Sequence, residues 1–153
     1  MAGCVSREAS NGAVKTCVLP SSDNGTPSLR LEIPSGFSMH KYEGPDFDVF
    51  YFTEAVTKST MGLYSGSHPS LSKSEAGDVR RQPGRVGDVS VEWLRWSQDG
   101  KHHSETLVPD FYGQKVTPEQ ADLVLHIFIE TSTEQDIARM ESAVATLSLE
   151  SAR

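Results

Sequence analysis

The chain has 153 residues, with 14 basic and 21 acidic side chains and a formal net charge of −7. That length suits one domain, and the acidic balance excludes a general phosphate-backbone binder, which needs surplus Lys and Arg. No apolar run reaches the roughly 18–20 residues of a membrane-spanning helix, while 37% hydrophobic residues suffice for a core.

Residues 1–28 read as a flexible leader or tether. They are rich in Ser, Gly, Asn, Ala and Thr and show no sustained period, so they bury too little surface to offset their ordering entropy. Their charges, Arg7, Glu8, Lys15 and Asp23, cancel, which places the whole −7 on residues 29–153, the expected single domain. Ala2-Gly3-Cys4 resembles the end of a bacterial lipobox, in which the Cys carries the lipid. That resemblance implies lipidation at Cys4 and a membrane-anchored lipoprotein of the cell envelope. The basic and apolar segments of a lipobox signal do not precede Cys4, so a cytoplasmic location stands as the alternative. Cys17 is the other cysteine. A Cys4–Cys17 bridge can form, but within a leader it would staple nothing in the domain. Asn24-Gly25-Thr26 is a glycosylation sequon, relevant only in a eukaryotic secretory route.

From Leu29 onward strand signals dominate. Leu29, Leu31 and Ile33 alternate with Arg30 and Glu32, the period of a half-buried strand. Pro34-Ser35-Gly36 predicts a turn and Phe37 to Tyr42 a returning strand. After Gly44-Pro45-Asp46, Phe47 to Phe52 is apolar at both parities, which predicts an inner strand covered on both faces. Met61 to Tyr64 is a shorter strand. Residues 65–88 contain Gly66, Pro69, Gly77, Pro83, Gly84 and Gly87 and read as a long loop, with a short helical turn near 69–76. Arg80, Arg81 and Arg85 are its basic cluster, either solvated or a contact for an anion or acidic partner.

Val89 to Ser97, Gln98-Asp99-Gly100-Lys101 and His102 to Val108 predict a hairpin closed by a type I′ turn. Val91 and Trp93 share one face of it and Trp96 takes the other, so both faces need cover. Thr117-Pro118-Glu119-Gln120 predicts a helix-start turn. Leu123 to Glu130 predicts a central strand, with Leu123, Leu125, Ile127 and Ile129 on one face and Val124, His126 and Phe128 on the other. A C-terminal helix follows, capped by Ser132 or Thr133 with Gln135 or Asp136 completing a capping box. Its stripe is Ile137, Met140, Val144 and Leu147.

Phosphate-loop, dinucleotide, zincin, C-x-x-C and nucleophile-elbow patterns do not occur, and residues 29–153 offer no thiol nucleophile. A non-enzyme is favoured, and no cofactor is implied. Adjacent His102 and His103 point to opposite faces of their strand. Trp96, His103 and Glu105 are the candidate ligand-binding residues. As metal ligands, His103 and Glu105 need a third. His40 or Asp46 could supply it only if the fold brought them close, so no metal site is assigned. His126 reads as a hydrogen-bonded core histidine and His68 as a solvated loop residue. Asp46 and Asp48 share a strand face expected to meet water, and the Phe47–Phe52 and Trp93/Trp96 aromatics are expected in the core.

Two stretches carry a resemblance. RLEIPSGFSMHKYEGPDFDVFYF resembles the opening of PsbP-like domains and of small bacterial lipoproteins of that fold, and LHIFIETSTEQDIARMESAVATLSL resembles their close. The resemblance implies an α/β sandwich on an antiparallel sheet and carries over no catalytic residue. The expected fold is therefore α+β, an antiparallel sheet of about six or seven strands with the C-terminal helix on one face. The alternative is a β-barrel or calyx with a C-terminal helix. The expected function is a non-catalytic, exported binding or assembly module, a lipoprotein with a protein or small-molecule partner and no nucleic acid. It would reach the membrane only through its lipid, and a homodimer would cover its open sheet face. The alternative is a small-molecule-binding domain or enzyme with a sheet-face pocket.

Overall fold

The expected leader holds two strands. In the computed structural model, which describes residues 3–9, 12–21, 27–67, 71, 78–109, 111–112 and 123–150, β1 (Gly3–Ala9) and β2 (Gly12–Leu19) form an antiparallel hairpin. β2 pairs with β3 (Leu29–Pro34), and the short β11 (Ser148–Leu149) closes the far side of β3. The result is a four-stranded sheet in the order β1-β2-β3-β11. Cys17 and Leu19 are buried in one core cluster with Leu29, Leu31 and Ile33. Composition pointed away from structure here, but a one-sided strand needs an apolar side chain only at every second position, and Cys17 and Leu19 meet that need. The Asn24 sequon lies outside the described residues.

The larger sheet contains β4 (Phe37–Glu43), β5 (Phe47–Glu54), β6 (Ser59–Gly66), β7 (Arg80–Val86), β8 (Val89–Gln98), β9 (Lys101–Val108) and β10 (Val124–Thr131). Its order is β4-β5-β6-β10-β9-β8-β7, and every pairing is antiparallel. Two meanders, β4-β5-β6 and β7-β8-β9, thus flank β10, as the period-2 pattern of the Leu123–Glu130 segment predicted for a central strand. Among the described residues β4 and β7 are the edges, so the sheet is open and the barrel or calyx is not the architecture.

The Asp99-Gly100 turn forms as predicted, with both residues at positive φ, 54° and 75°. β7 is a correction, because the sequence placed it in a loop. Pro83 and Gly84 argue against an inner strand, but β7 is an edge, where a missing donor costs little. It joins β8 through Gly87-Asp88, with Gly87 at φ 56°, the Gly-first pattern of a type II′ turn. The turns expected near 69–76 and 117–120 fall almost wholly or wholly outside the described residues.

Helix α1 (Glu134–Val144) starts where predicted. Thr133 is its N-cap, its Oγ1 accepting from the Asp136 backbone N–H at 3.1 Å. Ile137, Met140, Val144 and Leu147 are all buried. With the inner face of the small sheet they cover one face of the larger sheet, where Phe50, Phe52, Met61, Leu63, Trp93, Leu125, Ile127 and Ile129 complete a single core. The architecture is α+β, two open antiparallel sheets and one C-terminal helix.

Polar ties hold the helix to the larger sheet. Arg95 Nε and Nη2 donate to Glu141 at 2.9 and 2.5 Å, and Ser104 Oγ donates to the same carboxylate at 2.6 Å. The Glu141 hydrogen bond raises the Arg95 guanidinium above its ordinary range. Arg139 donates to Glu54 at 2.9 Å. Burial pushes the Glu54 carboxyl up, but hydrogen bonds from Thr57 and Arg139 outweigh it and leave the group below its ordinary value.

Candidate functional site

No helix among the described residues packs on the other face of the larger sheet, and its chemistry is different. Cross-strand registers define it. His126 stands opposite Tyr64, Phe128 opposite Gly62 and Glu105, and Glu130 opposite His103. Glu105 in turn faces Leu94, and His103 faces Trp96. Trp96, His103 and Glu105, grouped by strand parity in the sequence, therefore do lie side by side. His126 joins them, since β10 sits directly beside β9.

Glu105 is 0% exposed, although no helix among the described residues covers this face. Its Oε1 lies 2.6 Å from His126 Nε2. An ionised carboxylate accepts such a hydrogen bond from the Nε2–H tautomer of an imidazole. The His103 ring stacks on Trp96 with centroids 5.1 Å apart and planes 6° apart. His103 Nε2 also lies 3.8 Å from Glu130. Phe128 leans across β6 at Gly62, where a Cβ would come within 2.0 Å of its ring. Glycine at this position is what admits the aromatic ring.

These groups wall an open cavity of about 400 Å³, lined by Thr60, Trp96, His103, Glu105, His126, Phe128 and Glu130 among others. That size suits a small ligand. The aromatics continue past it: Tyr51 meets Phe128 edge-on, Tyr64 meets His126 edge-on, Phe47 stacks on Tyr64 and His40 stacks on Tyr51. The expectation that aromatics of this segment fill the core holds for Phe50 and Phe52. Phe47 and Tyr51 instead belong to this face and are half-buried.

An oriented imidazole–carboxylate pair can hold or move a proton. Nucleophilic catalysis would need a hydroxyl or thiol on the second imidazole nitrogen, and His126 Nδ1 makes no such hydrogen bond among the described residues. Metal binding does not fit either. β4 lies four strands from β9, or about 19 Å at the usual strand spacing, so His40 is out of reach of His103. Among the described residues no three His, Cys, Asp or Glu side chains form a metal-holding group.

The arginine cluster divides. Alternation along β7 separates Arg80 from Arg81 and Arg85, and each faces a carboxylate of this chain. Arg80 pairs with Glu134 at 2.7 Å, Arg81 with Glu92 at 2.6 Å and Arg85 with Asp88 at 3.5 Å. All three arginines stay largely exposed while pairing with carboxylates of their own chain.

Asp48 is a further correction. It is fully buried on the helix side rather than facing water, opposite Ser65 and 4.0 Å from Lys41 Nζ. Nearby, Ser65 Oγ and Tyr112 Oη lie 2.5 Å apart. Burial pushes the Tyr112 phenol up to about 12.

Cys4 is bonded to Cys17 across the β1–β2 hairpin. The bridge uses the sulfur that a thioether lipid would need, so lipidation at Cys4 and this disulfide exclude one another. Because β2 is part of the core, the bridge fastens β1 to the folded body, not one piece of tether to another.

Compared with protein-family models, curated proteins and solved structures, the chain matches none.

Proposed function

We propose that this domain is a non-catalytic binding module that takes a small ligand on the helix-free face of its larger sheet, at Trp96, His103, Glu105 and His126. The observation that carries the proposal is the fully buried Glu105, hydrogen-bonded to His126 at 2.6 Å in the wall of an aromatic cavity. Burying a carboxylate is costly, and an apolar residue there would serve packing alone. A few convergent polar groups in an aromatic-lined concavity are the usual anatomy of a ligand site. An exported setting belongs to the proposal, because a Cys4–Cys17 bridge persists where thiols are oxidised. The PsbP-like resemblance of the chain's ends adds a fold relationship and no site residue.

The test is a fragment screen on the full chain, read by the two tryptophan indole signals in NMR. Trp96 lines the cavity and Trp93 lies in the opposite core. Hits should shift the Trp96 signal, leave that of Trp93 in place, and lose affinity in His103→Ala. Hits that cluster instead in the cleft around Arg139 and Glu54 would overturn the proposal.

A further inference from the structure

We propose that the Cys4–Cys17 bridge is a redox latch, which holds β1 on the folded body and releases it when a dithiol reduces the bridge. The latch lies in the small sheet, so it is independent of the ligand face of the larger one. β1 ends the strand order and pairs with β2 alone. The core cluster takes Cys17 and Leu19 from β2 and is touched by Cys4 from β1. The register sets Cys4 opposite Cys17, one pair in from the open end of the hairpin, while the chain connection between Ala9 and Gly12 closes the other end. A terminal strand stays ordered where it is tied down. The bridge ties the end of β1 that would otherwise fray, and it uses both cysteines of the chain.

The two sulfurs differ in access. Cys17 is fully buried, whereas Cys4 is half-buried on the edge strand, so an incoming thiolate attacks Cys4 Sγ. The S–S bond breaks with its electron pair on Cys17 Sγ, which takes up a proton. The second thiolate of the reductant then attacks its partner sulfur in the mixed disulfide and displaces Cys4, which takes up the second proton. The chain gains two electrons and two protons, and the dithiol leaves as a disulfide. An oxidising setting keeps the latch closed and a reducing one opens it. With the bridge intact, a detached β1 would still be held in a closed loop spanning a sequence separation of 13. That constraint lowers the population of the detached state about a hundredfold. Its loss leaves β1 as an arm hinged at the connection to β2, and β2 as the edge of the small sheet.

The experiment measures amide hydrogen exchange on the full chain by mass spectrometry, with peptides covering β1 and β10. The oxidised chain is compared with the chain treated with dithiothreitol without denaturant, and with Cys4→Ser. Reduction should speed exchange of the hydrogen-bonded β1 amides about a hundredfold and leave β10 as it was. Removing the reductant and adding oxidised glutathione should restore the slow rate. Cys4→Ser, which keeps Cys17 in the core, should exchange like the reduced chain with or without dithiothreitol. Equal β1 protection in the oxidised and reduced chains overturns the latch, as does a bridge that dithiothreitol leaves intact in the folded chain. Loss of β10 protection together with β1 also overturns it, because the bridge would then support the whole fold and not one strand.

Discussion

The two faces of the seven-stranded sheet come from the same strands, residue by residue in alternation, yet they are built to different rules. On β10, Leu125, Ile127 and Ile129 enter a core closed by α1 and the small sheet, while His126, Phe128 and Glu130 face a cavity. The helix side is mainly apolar, with Asp48, Ser104 and the Arg95–Glu141 pair as its polar exceptions, and the large groups on it pack against partners within the chain. The helix-free side carries buried charge, stacked imidazoles and an aromatic ring that needs glycine beneath it. One face is optimised for packing. The other gives up packing to hold polar groups at fixed positions, as binding sites do.

The largest effect expected from breaking this contrast is on the helix side. Val144→Asp puts an unpaired charge into the core and should cost about 3–5 kcal/mol, read by urea denaturation. Unchanged stability would mean that the helix does not close this face. On the open face, Glu105→Ala leaves His126 buried without its acceptor and should cost about 1–3 kcal/mol. The double substitution Glu105→Leu with His126→Leu removes both partners, and should return stability to within about 1 kcal/mol of the parent while abolishing ligand response at Trp96. If the double variant still binds, the polar pair has no recognition role. Thr133→Ala removes the helix cap and should cost about 1 kcal/mol by the same denaturation.

The smallest effect is pH-dependent and lies at the margin of the core. Tyr112 titrates near 12 in the folded chain because it is buried, against about 10 when unfolded. A folded-state pKa raised in this way leaves stability intact below about pH 10 and removes it as pH rises toward 12. Tyr112→Phe should be less stable than the parent by about 1 kcal/mol at neutral pH, for loss of the Ser65 hydrogen bond. Thermal melts should show that difference narrowing between pH 10 and 12.

Much of the first face was legible in the sequence, because a period of two and a helical stripe record burial directly. The Leu125-Ile127-Ile129 alternation, the Asp99-Gly100 turn and the Ile137-Met140-Val144-Leu147 stripe all sit where the pattern placed them. The site was legible only within one hairpin, where parity alone puts Trp96, His103 and Glu105 together. His126 was readable as a buried, hydrogen-bonded histidine, but its partner is 21 residues away. That pairing depends on the β9–β10 register, which no local pattern encodes. β7 was hidden by Pro83 and Gly84, tolerable only because the strand is an edge, a property of topology. β1 and β2 were hidden by polar composition, and Asp48 by the assumption that a carboxylate near a turn meets water when Lys41 was there to meet it.

The placement of β10 between the two meanders also has a consequence for how the chain assembles. Each meander can form from contacts near in sequence, but each then ends in an open strand, β6 or β9, that waits for residues 124–131. During synthesis both edges are complete and unpaired while the C-terminal fifth of the chain is still to emerge. Such edges are templates for pairing with other molecules. The strand that joins them brings the β10–α1 junction with it, and the helix then covers the apolar face. Closure is therefore a long-range step, of the kind that slows folding, and truncation before β10 would leave two open half-sheets instead of a smaller version of the same domain.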